Sequence, residues 1–197
     1  NGWGTEKNLT QAFQFFEQAA QKDNAFAQVQ AAKMLLIGQG MDKDIDKGVE
    51  LLKKAAEAKY PDAEVRLAVL IQQGGTTEES PLQAYYLLQS AAAKDNPSAH
   101  HYLGLFYADK KNDLAEANID KAIFHLKKAA TAGVVESSLL LYYMHAGFGG
   151  APKNPALATH WLQHFQDARL SPIDKVLRDW VGAIDHKDFK DWATLEK

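Results

Sequence analysis

Apolar positions along the chain fall into two alternating sets, and each set recurs about every 36 residues. The first set aligns on Ala12, Gly48, Ala84, Ala122 and Ala158, with steps of 36, 36, 38 and 36. Three residues on stand Phe15, Leu51, Leu87, His125 and Trp161, followed by Phe16, Leu52, Leu88, Leu126 and Leu162. Small pairs come next: Ala19-Ala20, Ala55-Ala56, Ala91-Ala92 and Ala129-Ala130, replaced by Phe165-Gln166 in the last unit. Offsets of 3, 4, 7 and 8 trace one face of an α-helix. The second set precedes each of these. Its columns are Ala27, Ala63, Ala99 and Ser137; Ala31, Leu67, Leu103 and Leu141; Ala32, Ala68, Gly104 and Tyr142; and Leu35, Ile71, Tyr107 and His145. Each unit is predicted to be an antiparallel helix pair whose small residues let two backbones approach closely.

The polar punctuation agrees. In the stretch 38–56, GQGMDKDIDKGVELLKKAA, Gly38 and Gly40 stand where a first helix should stop, as do Gly74-Gly75 and Gly147, Gly149 and Gly150 later. That position wants a residue tolerant of positive φ. The column Asn8, Asp44, Ser80, Asn118, Asn154 holds only residue types that cap a helix N-terminus. Pro81 and Pro155 follow at the favoured first helical position. Asp42, Asp44 and Asp46 suggest a calcium loop, but the glycine and terminal glutamate of that motif are missing. A phosphate loop fails because no strand precedes the glycines.

The array is expected to span 1–168, as a half repeat at 1–24 and units starting near 25, 61, 97 and 134. Beyond it, Ser171-Pro172 is a helix start, and Ile173, Val176, Leu177, Trp180, Val181 and Ile184 form one apolar stripe. Residues 169–197 are therefore expected to form a capping helix and tail over the last repeat, as open arrays require. The tail residues Phe189, Trp192 and Leu195 suit either cap packing or a partner contact.

Composition changes this picture little. The chain has 197 residues, 46% hydrophobic and 24% charged, with a formal net charge of −3. That balance implies no nucleic-acid partner, and no segment is apolar enough to insert directly in a bilayer. The absence of cysteine excludes disulfides, thiolate metal sites and cysteine nucleophiles. The chain opens at Asn1 on the second half of a repeat, so a trimmed fragment of a longer array is expected.

Candidate chemistry is sparse. His160 and His164 share a helix face at a spacing that suits zinc, but HWLQH lacks a metalloprotease glutamate. His164 falls in the column of Gln18, Lys54, Ser90 and Lys128, read as solvated. His100 and His101 diverge on a helix, and His125 and His145 fall in apolar columns, read as packed. No Ser/His/Asp arrangement stands out. No metal, no cofactor and no catalytic residue is expected.

These columns resemble the Sel-like repeat (SLR) family, a branch of the tetratricopeptide superfamily. Ala99, Leu103, Gly104 and Tyr107 match the first half of its unit. Gly38, Gly40, Asp44, Lys47, Lys54, Ala55 and Ala56 match much of the second, as do Ala122, Lys128, Ala129 and Ala130. The unit after Tyr107 departs from the pattern: it loses the Gly-x-Gly turn and is two residues longer. The resemblance implies an all-α, right-handed α-solenoid of ten or eleven helices, with the first helix of each pair lining a concave groove. Outside the packing columns those helices carry Val29, Val65, His101 and Leu139, then Lys33, Val69, Leu105 and Tyr143. This lining reads equally as an apolar binding strip for another protein or peptide segment and as the packing of a tight superhelix. The resemblance implies a non-enzymatic scaffold or adaptor, bacterial and cell-envelope or signalling related, with the periplasm or cell envelope favoured over the cytoplasm. The alternatives are an envelope hydrolase and a peptidoglycan- or glycan-binding protein.

Overall fold

A computed structural model of the chain describes residues 8–74, 80–109 and 118–168. Among these residues all regular structure is helical: α1 (Leu9–Ala20), α2 (Ala25–Ile37), α3 (Ile45–Glu57), α4 (Pro61–Gln72), α5 (Pro81–Ala92), α6 (Pro97–Ala108), α7 (Ile119–Thr131), α8 (Val135–Ala146) and α9 (Pro155–Asp167). The fold is all-α, of the solenoid class. The expected capping helix and tail lie outside the described residues. Two compact units are distinguished, Asn1–Ala99 and His100–Lys197. In the first, α1 packs on α2, α2 on α3, α3 on α4 and α4 on α5; in the second, α7 packs on α8 and α8 on α9.

Local chemistry places the helix ends. The side chains of Asn8, Asp44, Ser80, Asn118 and Asn154 each accept a hydrogen bond from the backbone N–H three residues on, satisfying one orphan donor of the first turn. Asn24 and Asn96 do the same for α2 and α6. Gly38 closes α2 in the left-handed region, at φ 70°, where a Cβ would be strained. The backbone N–H groups of Asp44, Asn118 and Asn154 donate to the carbonyls of Leu35, Tyr107 and His145 at 2.8–3.0 Å. The residue that caps the second helix is thereby tied to the last turn of the first.

The turn from one repeat to the next uses a second left-handed position that nothing local announces. It is held by Asp23, Lys59, Asp95 and Gly133. The residue after each donates its N–H to the carbonyl of Ala19, Ala55, Ala91 or Ala129.

Packing follows the small columns. Ala31, Ala32, Ala55, Ala63, Ala68, Ala84, Ala91, Ala99, Ala122 and Ala129 are all fully buried, and Leu52, Leu88, Leu103, Leu126 and Leu141 fill the space between them. The glycines in these columns mark the tightest approaches. A Cβ on Gly48 would meet Leu36 Cγ at 2.9 Å and the Ala32 carbonyl at 3.4 Å. A Cβ on Gly104 would meet Leu126 Cγ at 2.5 Å and the Ala122 carbonyl at 3.3 Å.

Gly104→Ala is expected to destabilise the protein despite the roughly 1 kcal/mol it gains in helix propensity, because overpacking costs about 1–3 kcal/mol and buried Leu126 has little room to move. Ala55→Leu should cost about 1–3 kcal/mol for the same reason. Urea denaturation checks both; unchanged stability would mean that these columns are not close contacts.

Candidate interaction faces

The first helices, α2, α4, α6 and α8, carry the candidate lining. Val29, Val65 and Leu139 are buried, with 1%, 5% and 5% exposure, so these three contribute apolar packing and little free surface. The next column is more open. Lys33 is exposed, and Val69, Leu105 and Tyr143 are half-buried. In the first unit this leaves Lys33 and Val69 presented to solvent. In the second it leaves Leu105 and Tyr143, with Phe148 edge-on to Tyr143 at 6.3 Å. His101 is half-buried, and its Nδ1 lies 2.8 Å from Ser137 Oγ. The His101 side chain thus joins α6 to α8 and is not a freely projecting handle. It stands where the first unit has Val29 and Val65, and Ser137 stands where that unit has Ala27 and Ala63. An apolar contact has been replaced by a polar pair.

A second column went unread in the sequence. Gln28, Glu64, His100 and Ser138 directly follow Ala27, Ala63, Ala99 and Ser137, and all four are buried. Each is engaged by a second helix. The Gln28 amide donates to the Ala20 carbonyl at 3.3 Å. Ser90 Oγ donates to Glu64 Oε1 at 2.6 Å, and Lys94 Nζ reaches Glu64 Oε2 at 3.4 Å. Lys94 also donates to the Lys59 carbonyl, and Asn96 to Asp62 at 2.9 Å. His100 Nδ1 is 2.8 Å from His125 Nδ1, and Ser138 Oγ is 2.9 Å from His164 Nδ1. Each repeat therefore buries one polar side chain at the same position and gives it a hydrogen bond across a helix pair. His164 is half-buried through this bond, which corrects its reading as a solvated residue. It turns toward Ser138, whereas His160 is exposed.

His125 and His145 are packed. His125 stacks on Tyr107 at 5.6 Å, with Lys121 over the other ring of that pair. His145 is 6% exposed, and neither ring nitrogen has a hydrogen-bond partner among the described residues. Burial pushes the His101 imidazole down to about 4. Burial, followed by the charges of His100, Lys128 and Lys121, pushes His125 to about 4 as well. Burial and then Lys127 lower His145. Among the described residues no three histidines and carboxylates converge as metal ligands, and no helix is long and apolar enough to cross a membrane.

The repeat columns now have a family. The Sel1 repeat matches residues 1–24, 25–60, 61–96, 97–134 and 142–163. The chain belongs to the Sel1 repeat family. Among its relatives, the uncharacterized protein NMB1327 of Neisseria meningitidis serogroup B is 27% identical over 187 residues, covering 94% of this chain and 38% of that protein. The chain thus spans well under half of this relative's length. Two crystal structures share the fold. One is c5321, a protective antigen present in uropathogenic Escherichia coli strains displaying an SLR fold; it has a TM-score of 0.75 and 24% identity over 84% of this chain and 35% of that one. The other is a Sel1 repeat protein from Oxalobacter formigenes, with a TM-score of 0.74 and 23% identity over 94% of this chain and 80% of that one. Sel1 repeat proteins are generally protein–protein interaction scaffolds, and the fold is typically non-enzymatic.

In Sel1 terms the buried polar column sits on the first helix of each repeat and ties it to a second helix. Glu64 gives the sharpest test of it. Glu64→Ala is expected to cost about 3 kcal/mol or more, because it opens a cavity and leaves the Ser90 hydroxyl without its acceptor. Glu64→Leu combined with Ser90→Ala should recover much of that loss, since apolar replacement of a buried polar pair is often close to neutral. A double-mutant cycle by urea denaturation checks both; additive losses would mean that the two side chains are not coupled.

Proposed function

We propose that this chain is a non-enzymatic scaffold that binds a segment of another protein on the exposed side of its first helices. The observation that carries the reading is the column Lys33, Val69, Leu105, Tyr143. In every full repeat this position lies beside a buried column yet keeps part of its surface in water. Lys33 and Val69 belong to the first unit, Leu105 and Tyr143 to the second, and three of the four are apolar or aromatic. Residues of this kind bind by burying apolar area, with polar neighbours fixing register. Four residues earlier on the same helices, Val29, Val65 and Leu139 are buried and His101 is tied to Ser137. The family's general role as an interaction scaffold supports the same reading.

The test is charge insertion. Val69→Asp and Leu105→Asp should each weaken a partner identified by pull-down at least tenfold, while far-UV circular dichroism keeps its helical amplitude. An aspartate there meets water in the free protein and is desolvated in the complex. Loss of helicity in both variants would assign the column to the core. Folded variants with unchanged binding would move the partner to another face.

A further inference from the structure

All seven histidines lie at or beyond residue 100, and the first 99 residues have none. The structure shows what that asymmetry does. At the slot between the end of a first helix and the middle of the second, the first unit has Leu35 in a core cluster with Leu51 packed against it, and its next repeat carries Ile71 and Leu87 in the same columns. In the second unit these columns hold Tyr107 with His125, then His145 with Trp161. The buried polar column changes likewise, from Gln28 and Glu64 to His100, which meets His125. The Val and Ala pairing becomes His101 with Ser137. Apolar or acidic positions of one unit are imidazoles in the other, and the helix pair is otherwise built the same way.

We propose that the second unit is an acid-sensitive module, in which protonation of these packed imidazoles loosens the packing of α6 to α9 while the first unit stays folded. The geometry opposes charging both rings of the His100–His125 pair, and it encloses His145 with no hydrogen-bond partner among the described residues. The His100–His125 contact joins two Nδ1 atoms at 2.8 Å, so one must donate and the other accept; with both rings charged there is no acceptor left. The groups that face His125 are His100 and Tyr107 from α6 and Lys121 and Lys128 from its own helix, and every charge acting on it is cationic. Lys127 of α7 acts on His145. The polar group that meets His101 is the Ser137 hydroxyl of α8. Among the described residues no carboxylate is hydrogen-bonded to or ion-paired with His101, His125 or His145, so none compensates a new positive charge.

The pH window follows from the direction of the shifts. An imidazole that titrates near 6.5 when unfolded and near 4 when folded contributes its full stability above about pH 6.5 and has lost it below about pH 4. A partner held by Leu105 and Tyr143 would then be released in acid; that consequence alone rests on the binding reading above, and the test does not use it.

Hydrogen exchange on the free protein, corrected for intrinsic exchange chemistry, is measured between pH 7.5 and 4.5. Peptides from 100–168 should lose protection by about thirtyfold or more between pH 7 and pH 5, and peptides from 8–74 should not. The first unit supplies the control substitutions. A variant with His101→Val, Ser137→Ala, His125→Leu and His145→Leu should flatten the acid response. Parallel loss in both units, or an unchanged response in a folded variant, would overturn the proposal. If the variant does not fold, the wild-type imidazoles decide by NMR titration: His101 and His125 must stay neutral at pH 5.5, and ordinary titration near 6.5 would refute the device.

Discussion

The contact between paired helices at their small residues is the constraint on which the rest of this molecule depends. Ala32 lies against Gly48 and Gly104 against Ala122, with carbonyl oxygens only 3.3–3.4 Å from where a Cβ would stand. Backbones this close leave no room for ordinary side chains at the crossing. Leu126 packs directly onto Gly104 and Leu36 onto Gly48, filling the space a Cβ would take, and Leu52 and Leu88 are buried in the core. The same closeness brings the last turn of one helix within reach of the cap of the next, giving the bonds from Asp44 to Leu35 and from Asn118 to Tyr107. What a first helix can offer a partner is whatever its packing columns leave over.

That remainder is narrow. Neighbouring positions on one helix turn meet different fates: Val29, Val65 and Leu139 are enclosed, and Lys33, Val69, Leu105 and Tyr143 keep some contact with water. Burial beneath and exposure above give a supported surface, which binds with less ordering cost than a flexible one. The buried polar column adds a second kind of order. Apolar packing alone tolerates sliding between repeats, whereas Glu64 with Ser90 or Ser138 with His164 is satisfied at one register only.

Much of this was legible from the residues. Caps such as Asp44 and Asn118 are readable because their chemistry acts within three residues, and Gly38 because a left-handed helix end selects for glycine. The all-α repeat was readable because its columns recur at nearly constant spacing. Other features had no local signal. Lys59 takes a left-handed backbone with nothing nearby to announce it. Glu64 looks like an ordinary first-turn acid, because its partner Ser90 is 26 residues away on another helix. His164 looked solvated for the same reason, its partner being Ser138. For the candidate strip, helical periodicity puts Val29 and Lys33 on nearly one face, and only the packing of the neighbouring repeat decides which is covered.

On the proposed reading, the first helices present the binding surface. Site-specific photo-crosslinking tests it most directly, with a photoreactive residue at Lys33, Val69, Leu105 or Tyr143 and, separately, at Glu50, Tyr86 or Phe124 on the second helices. All seven positions keep some surface in the free protein. The account predicts one common partner adduct from the first-helix positions and none from the second-helix positions. Adducts confined to Glu50, Tyr86 and Phe124 would contradict it.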